Sequence, residues 1–404
     1  MWLITALPSW AAVLTQCPGD LNGDCVPDRY LLTLDGRPST TPNPSYDPNV
    51  KCMHLGAGDG AIRMADGRYM YIFSFSDLTG IKDNQRTKQD ERLVAGMMAN
   101  TFPAPKIVLD EGDEFFLTLT NVGMMMRPDL FDPHTVHWHG FPNAAAVFDG
   151  VPDASIAINM GSSFTYYYKV VRPGTYLYHC HVEATEHMQM GMLGNLYVHP
   201  AQDGTPYTYK GKTYDQFAYN DEDGSTGYDV DYAIQIGSFD GNFHDASENV
   251  QPLLFALMRD NYPMLNGRGY PDTASTVPPP APDIANPING ESTQPEHSLI
   301  TAKQGDRILL RLSNLNVTRF YTLISPSIAM EVVGKNARHY RGPDGKNLYY
   351  KTHSITMGGG ESMDVILDTV GIQPGTYFLY TSNMNYLTNN EEDFGGMMTE
   401  IVIS

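Results

Sequence analysis

"DEGDEFFLTLTN" (residues 110–121) and "AKQGDRILLRLSN" (302–314) are two versions of one pattern. Each opens on a Gly-Asp turn, alternates apolar with polar side chains and closes on Asn, as a half-buried strand does. Two further pairs follow in the same order. "NMGSSFTYYYKV" (159–170) is answered by "MGGGESMDVILD" (357–368), and "RPGTYLY" (172–178) by "QPGTYFLY" (373–380). Three marks recurring in one order predict two copies of a single β-domain. A length of 404 residues accommodates two domains, and 37 Gly, 28 Pro and 25 Tyr suit a chain of turns and strands. The expected fold is all-β, with Greek-key β-sandwich or barrel domains at 55–204 and 229–404. Residues 1–54 form an N-terminal extension, and the polar, Gly-rich stretch 205–228 is read as a linker. "TASTVPPPAPDIANPINGESTQPEH" (273–297) is expected to be a long surface loop.

A net charge of −20 argues against nucleic acid or an anionic membrane as the main partner. The start, "MWLITALPSWAAVLTQC" (1–17), is apolar but lacks a basic opening. It reads either as a secretory apolar region or as a buried first strand. No other stretch approaches the ~18 apolar residues of a membrane span, so none is expected. Of the four cysteines, any two of Cys17, Cys25 and Cys52 can pair, which suits an oxidising compartment and leaves one over. In "DLNGDCVPD", Asp20, Asn22, Asp24 and Asp28 stand at oxygen-ligand spacing, as in the first part of a calcium loop. Leu31 falls where the loop needs a bidentate Glu, and an Asx-rich turn is the other reading.

Six of the twelve histidines fall between His134 and His187. In extended chain, side chains alternate faces. His179 and His181 therefore share one face and Cys180 projects from the other. His137 and His139 likewise share a face, with His134 of opposite parity. The residues sort into His134 with Cys180, continuing to His187 and Met192, and the four imidazoles His137, His139, His179 and His181. Two histidines, a thiolate and a soft thioether form the ligand set of a blue-copper site. Met188 and Met190 compete with Met192 for the thioether place. The four imidazoles suit further copper on the opposite face, and the two sets meet at Cys180. Adjacent His-Cys-His and a methionine ligand argue against zinc.

"HTVHWHGFPNAAAVFDGVPD" (134–153) and "YHCHVEATEHMQMGM" (178–192) resemble the copper-ligand segments of the multicopper oxidases. The resemblance spans most of both predicted domains. It implies cupredoxin domains, a type 1 copper at His134, Cys180, His187 and Met192, and type 2/3 copper ligands at His137, His139, His179 and His181. It also implies that Asp149 and Glu183 help deliver protons to oxygen. Two features depart from the family pattern. The step from Cys180 to His187 is longer than usual, and a complete cluster takes twice the imidazoles found here. "LISPSIAMEVVGKN" (323–336) and "FLYTSNMNYLTNN" (378–390) stand where the second domain would supply histidines, so that domain is expected to be copper-free.

The expected function is that of a secreted or periplasmic copper oxidoreductase. It would take single electrons from a small-molecule reductant, a phenol or a reduced metal ion, and pass them to oxygen. The acidic surface and the methionines at 124–126 and 188–192 lean toward metal cations, core filling being their ordinary use. A homo-oligomer sharing the copper cluster between chains would supply the missing imidazoles. The alternatives are a blue-copper electron-transfer or copper-carrying protein with an incomplete second site, and a nitrite-reductase-like enzyme.

Overall fold

The computed structural model describes residues 15–82 and 90–404. Residues 1–14, most of the apolar N-terminal stretch, lie outside it. Among the described residues the chain is mostly β. It forms two face-to-face sandwiches, each of two sheets.

The N-terminal sandwich uses eight strands: β1 (Val50–Arg63), β2 (Tyr69–Asp77), β3 (Ala104–Asp110), β4 (Glu114–Gly123), β5 (His137–His139), β6 (Ser163–Lys169), β7 (Gly174–His179) and β8 (Leu193–His199). One sheet runs β2-β1-β4-β6 and the other β3-β8-β7-β5. The first strand starts at Val50, inside the stretch expected to be an extension, because it pairs parallel to β4 from Val50 opposite Glu114. A Cys17–Cys52 disulfide ties the preceding loop to this strand. Cys25 remains a buried free thiol. Burial, helped by Asp20, pushes its pKa up to about 12, so it is inert at neutral pH.

The C-terminal sandwich repeats the plan. Its strands are β9 (Val230–Phe239), β10 (Tyr262–Leu265), β11 (Ile300–Ala302), β12 (Arg307–Asn314), β13 (Tyr321–Ile324), β14 (Met330–Lys335), β15 (Arg338–His339), β16 (Tyr350–Thr352), β17 (Ser354–Met357), β18 (Glu361–Asp368), β19 (Gly375–Thr381) and β20 (Met398–Ile403). One sheet runs β10-β9-β12-β18-β14-β15, with β16 also on β14; the other runs β11-β20-β19-β13-β17. The repeated motifs occupy matching places: β4 and β12, β6 and β18, β7 and β19. The parallel pair β1/β4 is matched by β9/β12, and β3/β8 by β11/β20.

Each sandwich closes on its own apolar core, and a third cluster joins them. In it Ile62, Phe102 and Leu193 of the first meet Phe239 and Leu315 of the second, with the Phe102 and Phe239 rings 4.5 Å apart. Stretch 205–228 is not a free linker: it contains a hairpin (Tyr207–Tyr209 with Lys212–Tyr214) and buries Phe217 and Tyr219. The aromatic side chains draw it into the fold against its polar composition. The Pro-rich segment is likewise pinned, because the buried Arg268 guanidinium donates to the carbonyls of Ser275, Gln294 and Pro295.

Candidate metal centre

β5 is short but its register decides the centre. It pairs antiparallel with β7, placing His137 opposite His179, Trp138 opposite Tyr178 and His139 opposite Leu177. Trp138 and Tyr178 point into the apolar core, so the imidazoles emerge on the other face. His134 lies outside the strand, held through its backbone to Ile158 by paired hydrogen bonds of 3.0 and 2.9 Å. Past β7 the chain turns, and a short helix α1 (Ala184–Met190) follows from Glu183, whose φ is 44°. The helix absorbs the long step from Cys180 to His187. The Met192 N–H donates to the His187 carbonyl (2.8 Å) and the Met192 carbonyl accepts from Cys180 N–H (3.1 Å). Residues 180, 187 and 192 are thereby tied together by backbone alone.

Donor atoms of His134, Cys180 and His187 lie within 4.8 Å of one another, all three residues fully buried. The Cys180 Sγ is 3.2 Å from His187 Nδ1 and 3.9 Å from His134 Nδ1, and accepts from the Thr135 N–H at 3.5 Å. Met192 is buried in the same apolar cluster as Cys180 and Met190, whereas Met188 packs into the seam between sandwiches. Burial pushes the Cys180 thiol up, but the imidazoles of His187 and His134 outweigh it and hold the thiol well below its ordinary range. The thiolate is the form that ligates metals. Burial pulls His187 down, yet the Cys180 sulfur and Asp132 lift it to about 10. The Asp132 carboxylate lies 3.7 Å from His187 Nε2, too far for a hydrogen bond but close enough to act by charge. Two imidazoles converging on a buried thiolate, with a thioether on the same loop, fit copper.

On the other face, donor atoms of His137, His139 and His179 also lie within 4.8 Å of one another. His181 stands beside them, its ring 5.2 Å from that of His137. His137 Nδ1 donates to the Asp149 carbonyl (2.6 Å) and His179 Nδ1 to the Cys180 carbonyl (2.7 Å). These bonds leave the Nε2 atoms of both rings as donors to a metal. Burial lowers His179 to about 3 and, with help from His137 and His181, also lowers His139. Both rings are therefore in the neutral, ligating form.

Asp149 stands at this face, its Oδ1 3.6 Å from His137 Nδ1. Glu183 is exposed at the start of α1, and among the described residues its side chain makes no hydrogen bond or ion pair with the imidazoles. In the Asp-rich loop, Asp20 accepts from the N–H groups of Asn22, Gly23 and Cys25, Asp24 from Val26, and Asp28 from Leu21 and the Asn22 amide. The carboxylates there close a turn on their own amides. In the C-terminal sandwich His339 stacks on Tyr219, His353 bonds the Ser325 carbonyl, and His244 is buried. Asp132 lies just outside the quoted segments and Thr135 inside the first of them, between two candidate ligands, where neither residue type signals its part in the site.

Paired β-sandwiches with two such donor groups back to back define a copper-binding protein of the cupredoxin class. Residues 81–203 and 256–404 each match the "Multicopper oxidase" family, and the chain belongs to that family. A stretch of 104 residues is 36% identical to the multicopper oxidase MCE of Talaromyces pinophilus, covering 25% of this chain and 16% of that protein. Another of 130 residues is 33% identical to L-ascorbate oxidase of Cucurbita pepo var. melopepo, covering 30% and 21%. The matched stretches thus span under a quarter of either relative's length. Among solved structures, the blue copper oxidase from Nitrosomonas europaea superposes with a TM-score of 0.60 at 24% identity, covering 87% of this chain and 85% of that one.

Proposed function

We propose that this protein is a copper-dependent oxidase that takes single electrons from a small reductant and delivers them to dioxygen. Copper, when bound, supplies one-electron exchange with the reductant and the reduction of oxygen. His134, Cys180, His187 and Met192 are the type 1 ligands on this reading, and His137, His139, His179 and His181 hold type 2/3 copper. One observation carries it: consecutive residues serve both donor groups, and the His179 ring donates to the Cys180 carbonyl at 2.7 Å. That gives a covalent and hydrogen-bonded route between the groups. The Thr135 N–H steadies the thiolate and Asp149 orients His137. The 3.6 Å between Asp149 Oδ1 and His137 Nδ1 supports a role for this carboxylate in carrying protons to the face. Asp132, beside the edge of His187, favours a reductant that sheds a proton or carries positive charge, a phenol or a reduced metal ion.

The described residues bring four imidazoles to the second group, and a second copy of the chain would supply four more in a homo-oligomer. The incomplete set equally favours a second reading, an electron-transfer protein with a working type 1 site alone. The Cys17–Cys52 disulfide supports a secreted or periplasmic location, and no helix among the described residues is long and apolar enough to cross a membrane. The test is copper per chain with electron paramagnetic resonance, followed by oxygen uptake with a phenol and with Cu(I). Oxygen consumption at more than one copper per chain supports the oxidase. Type 1 signal without uptake selects the electron-transfer reading, and nitrite turnover would point to a reductase instead.

A further inference from the structure

Among the described residues the C-terminal sandwich offers no clustered histidines, yet one of its imidazoles reaches the N-terminal sandwich. His244 sits on α2 (Gly241–Glu248), capped by the Asp240 carboxylate on the N–H groups of Asn242 and Phe243. The ring is buried at 1% exposure and packs on Phe239 at 4.6 Å. Its two nitrogens face two backbone carbonyls of the other sandwich, Nδ1 that of Tyr71 (2.6 Å) and Nε2 that of Gln189 (2.9 Å).

Both carbonyls belong to segments that pack around His187. Gln189 lies in the last turn of α1, between His187 and Met192, where carbonyls lack partners inside the helix. The neighbouring ones are already tied: His187 O accepts from Met192 N–H, Gly191 O from the Ser74 hydroxyl (2.9 Å), and Met192 O from Cys180 N–H. Gln189 O lies 2.9 Å from His244 Nε2; a neutral imidazole carries one N–H, and in its Nε2–H form the ring donates to this carbonyl. Tyr71 is two residues before Phe73 on β2, and the Phe73 ring meets His187 edge-on at 6.0 Å.

We infer that His244 is a positioning residue through which the C-terminal sandwich sets the His187–Met192 segment by holding the Gln189 carbonyl. The inference rests on the type 1 copper reading. Losing a partner bonded directly to a metal ligand costs about 10–100-fold in metal affinity or activity; Gln189, two residues from His187, acts through the backbone and falls at the low end of that range. The second sandwich thus acts on the copper of the first although it carries none of the ligands.

Two conservative variants separate positioning from packing. His244→Gln keeps an amide N–H at the Nε2 place, toward Gln189; His244→Asn keeps one at the Nδ1 place, toward Tyr71. Both are made in the full chain, loaded with copper, and compared with wild type by visible absorption, paramagnetic resonance, reduction potential and copper retention against a chelator. The expected result is a wild-type spectrum and potential for His244→Gln. His244→Asn should shift the thiolate band and the potential and retain copper about tenfold less tightly, while still unfolding cooperatively. Identical spectra, potentials and retention in wild type and both variants, with only stability lowered, overturn the inference. Equal shifts in both variants overturn it too, because the Gln189 bond would then not be what matters. A wild type with no thiolate band overturns the copper reading, and this inference with it.

Discussion

Gly360, in the turn before β18, lies beside the four-histidine face. A Cβ there would stand 3.0 Å from both Cε1 and Nε2 of His139, and the residue's φ is +85°. Gly360→Ala therefore incurs two costs. The left-handed backbone costs about 1–2 kcal/mol for any L-residue with a Cβ. The contact forces His139 away until carbon atoms regain a separation of about 3.5 Å, a move of about 0.5 Å. Metal–ligand distances tolerate about 0.2 Å, so copper at the His137, His139, His179 group should bind about 10–100-fold more weakly. Gly345 is the control, with a φ of +78° and no atom within 4 Å of an added Cβ. Gly345→Ala bears the same backbone cost without the contact. The assay is copper per chain at limiting free copper, with the type 1 band monitored in parallel. Both variants should lose similar stability and keep the band, and only Gly360→Ala should lose the second copper. Equal second-site occupancy in the two variants would refute the reasoning.

Cys180→Ser should abolish the thiolate absorption while changing side-chain volume little; a surviving visible band would sink the ligand assignment. The pair His137→Ala/His139→Ala should lower copper per chain and, if chains share the cluster, shift solution mass toward the monomer. A wild-type monomer that binds more than one copper tightly and reduces oxygen at full rate would rule out sharing. His54 is buried, with Nε2 2.7 Å from the Thr120 hydroxyl and Nδ1 without a hydrogen-bond partner among the described residues, and burial, aided by Arg92, lowers its pKa from 6.5 to about 3. A depressed histidine keeps the fold neutral while the unfolded chain takes up a proton. Its stability contribution is whole above pH 6.5 and is lost as pH falls toward 3. Between about pH 7.5 and pH 5 wild type should lose about 2 kcal/mol more than His54→Gln in urea unfolding, and parallel losses would contradict this.

Strand alternation makes the grouping of donors legible along the chain. A period of two puts Cys180 on the opposite face from His179 and His181 wherever the chain is extended, and this local rule needs no distant contact. The repeated turn-and-strand marks likewise carry the two-sandwich plan, because each is set by Gly-Asp chemistry and apolar alternation within a dozen residues. What depends on packing across long separations is out of reach. Nothing near position 244 signals that its imidazole will meet carbonyls 55 and 173 residues away. The aromatic residues that draw 205–228 into the fold look like ordinary linker residues until their neighbours are known. The Cys17–Cys52 pairing, the start of β1 at Val50 and the contact of Gly360 with His139 are set by the same cause. Each is a distance between segments that only the closed sandwiches bring together, whereas the sequence by itself records only which residues are near along the chain.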